Sequence, residues 1–298
     1  MLYRNLSEYF RQKYGKRLKK ICIDGGFTCP NRDGTVGLGG CIFCGERGAG
    51  EHINADVSIG SQVSRALSGA TDEDKFVAYF QNFTNTYAPV EELRRRYDAA
   101  LVDDRIVALA IGTRPDCIDE ETVALIKHYK KKVDVWVELG LQTSSDLTAG
   151  IINRGYKTER FAEAMRLLYD ADIPVCVHLM IGLPGEGDSE ILETVRYLSD
   201  FPIWGVKIHS VYVMRGTELE KMMLDGKYLP QAKEDYIRRA ALVITHLPPD
   251  TLVHRLTGDC PGGMLAAPEW GDDKFAVIGA IQDYLKSNGL CQGMYYKS

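Results

Sequence analysis

Six short apolar runs rich in β-branched residues recur along this chain with an amphipathic stretch after each, and that alternation limits the fold more than any other feature. The runs are KICID (20–24), KFVAYFQ (75–81), RIVALAIG (105–112), VDVWVELGL (133–141), IPVCVHLMIG (173–182) and GVKIHSVYV (205–213). The helical patterns lie near 58–68, 89–101, 119–131, 158–170, 188–199 and 231–246. Pro89 followed by Glu91 and Glu92, and Asp119 followed by Glu120 and Glu121, are helix-start signals. Such alternation implies parallel strands with right-handed crossovers. Six units are too few for a closed eight-stranded barrel, so the expected fold is α/β, an open partial (β/α)6 barrel. TLVHRL (251–256) is available as a seventh strand and 272–286 as a final packing helix. On this reading residues 1–19 form an N-terminal helical extension, 20–250 the barrel, and 251–298 a C-terminal extension packed on it.

Parallel α/β folds place their sites at the C-terminal ends of the strands. The loop after the first strand reads GGFTCPNRDGTVGLGGCIFCG, with Cys29, Cys41 and Cys44 in the pattern C-x11-C-x2-C. Three cysteines among Gly, Asn, Asp and Thr are not placed for packing, which is where an inert cysteine belongs. The chain has 298 residues, 45% of them hydrophobic, enough to build a core without a metal or disulfide staple. The first twenty residues carry no signal-peptide run and no segment approaches a membrane span, so the protein is expected to be cytoplasmic, with no membrane partner. In that reducing compartment a cysteine group reads as a metal or catalytic site rather than a disulfide framework.

Three thiolates suit two kinds of centre. Zinc takes four protein ligands in structural sites, and Cys22 would have to be the fourth, giving a zinc-binding RNA module. A four-iron, four-sulfur cluster held by three cysteines instead keeps one iron open. Cys22 lies within an apolar run and reads as a core residue; Cys117, Cys176 and Cys291 are isolated, and Cys260 sits in a polar loop.

The net charge of −5 argues against coating nucleic acid by bulk electrostatics but leaves room for local basic patches. The segment Arg11 to Lys20, leading into the cysteine loop, is the strongest such patch. In the sixth strand Lys207 and His209 are two apart and share a face; with Val206, Ile208 and Ser210 turned to the helices, Lys207, His209 and Val211 point into the barrel. His178 joins that inner set. Arg215, His254 and Arg255 extend the positive character at the same mouth, which suits an anionic substrate.

The cysteine loop, together with YFQNFTNTYAP, IGTRPDC, ELGLQT, NRGY, HLMIGLPGE, VKIHSVYV, RGTELE and HRLTGD, resembles the radical S-adenosylmethionine (SAM) superfamily, in particular its YhcC/YtqA-like group, which is related to the Elongator catalytic subunit. The resemblance spans roughly residues 20 to 260. It implies that Cys29, Cys41 and Cys44 bind a four-iron, four-sulfur cluster whose open iron takes SAM. Reductive cleavage would then yield methionine and a 5′-deoxyadenosyl radical, with a low-potential donor such as flavodoxin or ferredoxin supplying the electron. It further implies that Gln142 contacts the SAM ribose and that Arg154 pairs with the SAM carboxylate, with Arg114 a similar candidate. Gln81, Thr84 and Asn85 would face the SAM amino group, and Met180 the adenine. Lys207, His209 and Arg255 would be the catalytic, substrate-side residues. Relatives in this group are associated with the wobble uridine of tRNA, so tRNA is the expected substrate and trimming of 5-carboxymethylaminomethyluridine to 5-aminomethyluridine the expected reaction; a small anionic metabolite is the alternative.

Overall fold

The computed structural model describes residues 1–48, 57–258, 260 and 263–297. The first elements are helix α1 (Leu6–Tyr14), strand β1 (Lys19–Ile23), α2 (Ile59–Leu67), β2 (Phe76–Phe80) and α3 (Val90–Asp98). They continue with β3 (Ile106–Thr113), α4 (Glu120–Tyr129), β4 (Asp134–Gln142), α5 (Asp146–Ile151), α6 (Thr158–Asp170), β5 (Val175–Ile181) and α7 (Asp188–Ser199). The last are β6 (Gly205–Ser210), β7 (Val213–Met214), α8 (Glu218–Leu224), α9 (Lys233–His246), β8 (Leu252–Arg255), β9 (Leu265–Ala267) and α10 (Lys274–Ser287). The α4 start signal works as expected, since the Asp119 side chain accepts from the Thr122 amide.

Seven strands form one parallel sheet in the order β1-β2-β3-β4-β5-β6-β8, curled into a half-barrel with helices outside. The seventh strand is TLVHRL, so the sheet runs past residue 250 into the segment set apart as a C-terminal extension: α9 returns the chain and β8 pairs directly with β6. The GVKIHSVYV run also divides. β6 ends at Ser210, and Val213–Met214 pairs antiparallel with β9 in a two-stranded ribbon. Val211 therefore leaves the lumen and packs with Ile42, Ile152 and Leu219 beside the cysteine loop.

Both faces of the sheet are buried, as a helix-covered parallel sheet requires. The outward positions Val135, Val137, Leu139 and Leu141 of β4, and Val175, Val177, Leu179 and Ile181 of β5, pack on the helices. The inward positions form layers. Near the strand starts lie Val77, Ala108, Trp136 and Cys176, closed off by Phe10 of α1, whose ring centroid is 6.0 Å from that of Trp136. Helix α1 thus plugs the closed end of the barrel.

That placement settles where the basic segment sits. Lys13 pairs with Asp134 at 2.5 Å, Lys19 with Asp74 at 2.7 Å, and Lys16 reaches Glu73, all at the N-terminal ends of β2 and β4. Lys13, Lys16 and Lys19 of the Arg11 to Lys20 cluster thus sit at the end opposite the mouth. Among the described residues no helix is long and apolar enough to cross a membrane.

Candidate active site

The curl leaves a cavity of about 250 Å³ at the C-terminal ends of the strands. Cys29, Cys41 and Cys44 form one wall. The eleven intervening residues double back on themselves: the Arg32 amide donates to the Cys29 carbonyl at 2.8 Å, the Val36 amide to Pro30, and the Gly40 amide to Asn31. Gly40 adopts φ +79°, and a Cβ there would lie 2.8 Å from Arg32 Nε, so glycine is required by both torsion and space. The Arg32 guanidinium donates to the carbonyls of Cys44, Gly45 and Glu46, which sets the position of the CxxC turn.

Asn153, in the NRGY segment, pins this loop from the far side. Its Nδ2 donates to the carbonyls of Leu38 and Gly40 at 3.3 and 2.7 Å, while Asn31 Nδ2 returns a bond to its carbonyl at 2.6 Å. No sequence expectation covered Asn153 or Arg32. The available signal was the run of polar residues inside a loop with little else to satisfy its backbone. A hydrogen bond between the Cys41 and Cys44 side chains pushes the Cys41 thiol up and the Cys44 thiol down, with Arg32 adding to the fall at Cys44. Cys22 lies elsewhere, opposite Tyr79 on β1 and packed toward the barrel floor, so it cannot complete a four-cysteine site. Among the described residues no three His, Cys, Asp or Glu side chains converge as they would on a single metal ion.

The other walls come from the strand ends. Gln81, Thr84, Arg114, Gln142, Arg154 and Met180 all line the cavity. Thr84 Oγ1 is buried with no partner, an unmet hydrogen-bonding group on a residue of the cavity wall. Gln142 ends β4 with φ +65°, and its amide folds over Gly140, where a Cβ would meet Nε2 at 2.7 Å. Asn85 departs from expectation. Its Nδ2 donates to the Gly112 carbonyl at 2.7 Å, which turns the side chain into the end of β3 rather than into the cavity.

Arg154 also departs from its expected role. The left-handed turn at Gln142 frees the carbonyls of Leu141 and Thr143, and both accept from Arg154 Nη1 at 2.7 Å. Nε donates to Tyr156 O, and Nη2 to Thr158 Oγ1 and Asp146. Every N–H of this 1% exposed guanidinium is engaged, leaving no free fork for a carboxylate. Arg114 shares the ring of Tyr156 with Arg154, the two guanidinium carbons lying 4.8 and 4.4 Å from its centroid. Arg114 spends Nε and Nη2 on Asp116 and Nη1 on the Arg154 carbonyl. Tyr156, which donates to Gly140 O, is the cavity-wall residue between them.

The floor is ionic. Glu138, deep in β4, accepts from Lys207 Nζ, from His178 Nε2 at 2.9 Å and from Trp136 Nε1 at 3.2 Å. Burial alone would raise its carboxyl, but Lys207 and His178 outweigh burial and hold it well below the carboxylate range. Lys207 Nζ also donates to Tyr79 Oη at 3.0 Å. Lys207 does point inward, as the strand alternation implies, yet it lies beneath the cavity with its charge committed to Glu138. His209 and Arg255 line the cavity itself. Burial, then His178 and Arg255, keep the His209 imidazole neutral. Arg215 is exposed beside the outer ribbon, its amide bonded to Met264 O.

His254 does not add positive charge. Its ring packs edge-on against Trp204 at 4.8 Å and Trp136 at 6.3 Å, with both nitrogens buried and unpartnered. The absent Cβ of Gly205 makes the room, since one would stand 2.4 Å from Nε2. Burial drops its pKa to about 3, with Glu138, Lys207, Lys20 and His178 as the nearby charged or titratable groups. An unfolded histidine titrates near 6.5, so below that pH the unfolded chain binds the extra proton and stability falls as pH falls. Between pH 7 and pH 5 this one residue is expected to cost about 2 kcal/mol. In urea titrations His254→Leu should flatten that slope and raise stability at neutral pH by about 1 kcal/mol, because it removes two unmet nitrogens. An unchanged slope would show that other groups set it.

The chain belongs to the radical SAM superfamily: residues 29–198 match the model of that superfamily, and residues 203–287 match the Radical_SAM C-terminal domain. Within it, the chain is 36% identical to the uncharacterized protein YtqA of Bacillus subtilis strain 168, over 99% of this chain and 93% of that one. It is 30% identical to a tRNA uridine(34) acetyltransferase of Methanocaldococcus jannaschii, over 67% of this chain and 36% of that protein. Among solved structures, the archaeal Methanocaldococcus infernus Elp3 lacking its N-terminus aligns with a TM-score of 0.66 at 23% identity. That alignment covers 78% of this chain and 59% of the other, and is a likeness of fold. The superfamily uses a four-iron, four-sulfur cluster and SAM. The residues present fit those groups: three thiols lining the cavity, glycine-thinned strand ends at Gly112 and Gly140, and the unpartnered hydroxyl of the lining residue Thr84.

Proposed function

We propose that this radical SAM enzyme modifies the wobble uridine of tRNA, trimming a 5-carboxymethylaminomethyl substituent to 5-aminomethyl. The observation that carries the reading is a cavity lined by three thiols and also by Arg255 and His209, which supports a cofactor and an anionic substrate arm sharing one site. The tRNA uridine(34) acetyltransferase among the relatives supports the choice of base.

Cys29, Cys41 and Cys44 would hold the cluster. Its chemistry, when bound, would be one-electron cleavage of SAM to a 5′-deoxyadenosyl radical able to take a hydrogen atom from the carboxymethyl methylene; loss of a second electron, back to the cluster, would leave an imine at that carbon, and its hydrolysis by water would break the N–C bond, release the two-carbon arm as glyoxylate and leave the aminomethyl group. Thr84, Gln81, Gln142 and Met180 would bound SAM, with Arg114 and Tyr156 behind it. Arg154 is a positioning residue that fixes the strand end carrying Gln142. Asn153 and Arg32 fix the cysteine loop at the cavity wall. A flavodoxin or ferredoxin would deliver the electron.

Reconstituted protein incubated with SAM, reductant and tRNA bearing the carboxymethylaminomethyl group should yield 5-aminomethyluridine and 5′-deoxyadenosine together. Deoxyadenosine without any change in the nucleoside would reject the tRNA. The competing substrate, a free anionic metabolite, is favoured by the attachment of the basic Arg11 to Lys20 segment to the closed end of the barrel.

A further inference from the structure

Three cations converge on the barrel floor with one carboxylate. Lys20 places its ammonium 4.8 Å from the Tyr79 ring centroid, and Lys207 stands 4.3 Å from the same ring. Arg255 is the β8 neighbour of Lys207 in the sheet register. Against them stands Glu138, already bonded to Lys207 and His178. With both His178 and His209 neutral, the group is two positive charges in excess. Lys207 is buried, Arg255 half-buried and Lys20 exposed, so the excess positive charge faces the cavity and its rim, where it attracts an arriving anion.

The three cations are not equivalent. Lys207 is spent on Glu138, whereas Arg255 makes no hydrogen bond or ion pair with any described residue and lines the cavity. His209 lines the cavity beside it, and its Nε2 is buried with no partner. A guanidinium fork and a neutral imidazole with unmet hydrogen-bonding capacity form a recognition pair for a carboxylate.

We propose that Arg255 and His209 form a subsite that binds a carboxylate on the substrate arm, with Lys20 adding long-range attraction and the Glu138–Lys207 pair acting as a fixed support. Resting on the substrate reading above, this assigns the arm's anionic end to the β6 and β8 side of the cavity that the cysteines also line. Lys207 is then a positioning residue rather than the carboxylate's partner, because binding there would have to displace Glu138.

The test uses the reconstituted holoenzyme with SAM bound and two nucleoside probes, 5-carboxymethylaminomethyluridine and its methyl ester, in equilibrium dialysis. Wild-type protein should prefer the acid by about 10- to 100-fold, the range for charge-assisted hydrogen bonds. Arg255→Leu should reduce that preference to within about 3-fold, and Arg255→Lys, which keeps the charge without the fork, should fall between. Equal binding of acid and ester, binding of neither at millimolar concentration, or a preference that survives in Arg255→Leu would overturn the subsite. Inorganic phosphate displacing the acid at comparable concentration would overturn its assignment to carboxylate. A preference that holds while a tRNA stem–loop bearing the same base is left unchanged keeps the subsite and rejects the tRNA reading.

Discussion

Cys29→Ala, Cys41→Ala and Cys44→Ala proteins, reconstituted anaerobically, are expected to form 5′-deoxyadenosine no faster than a protein-free control, while Cys22→Ala retains activity. The three positions share one wall of one cavity, and the loop between them is held by Asn153 and Arg32 whether or not a thiol is lost. The defect should therefore lie in cluster binding, with melting of the unloaded protein close to wild type. Cys22 is the discriminating control, since it packs toward the floor opposite Tyr79. Loss of iron in Cys22→Ala with retention in Cys29→Ala would reverse the ligand assignment.

The second large effect concerns stability. Lys207→Met leaves Glu138 buried at 2% exposure with only His178 and Trp136 as partners. Breaking one side of a buried ion pair costs about 3–5 kcal/mol, far more than loss of a surface pair. Glu138→Gln should cost a similar amount by stranding the lysine. The double variant Glu138→Gln/Lys207→Met removes both charges together and should recover most of the loss. Urea titrations of the four proteins measure this directly; additive losses in the double variant would mean that the two residues act apart.

The barrel was legible because its signal is local: β-branched runs and amphipathic stretches report their own periods, and strand alternation turned Lys207 and His209 inward. Glu138 was not legible. A carboxylate inside VDVWVELGL has no local partner, and the lysine that neutralises it lies 69 residues away. Arg154 shows a related limit. The resemblance supplied an arginine for a carboxylate, but the need of the Leu141 and Thr143 carbonyls for donors arises only from the left-handed Gln142 backbone. Charge patterning identified Arg11 to Lys20 as basic; which end of the barrel it would occupy depended on the acidic residues Asp74 and Asp134 at the strand starts. The cysteine triplet was readable as a group because its polar setting excluded packing, whereas the residues that fold the loop back, Asn31, Arg32 and Asn153, act through backbone carbonyls that leave no pattern.

The central claim is that this loop holds a cluster able to engage SAM. Wild-type protein isolated and reconstituted without oxygen, then assayed for iron, sulfide and zinc and for 5′-deoxyadenosine release with SAM and reductant, tests it most directly. About four irons per chain, a brown visible spectrum and deoxyadenosine formation are expected. Colourless protein with stoichiometric zinc and intact SAM would contradict it.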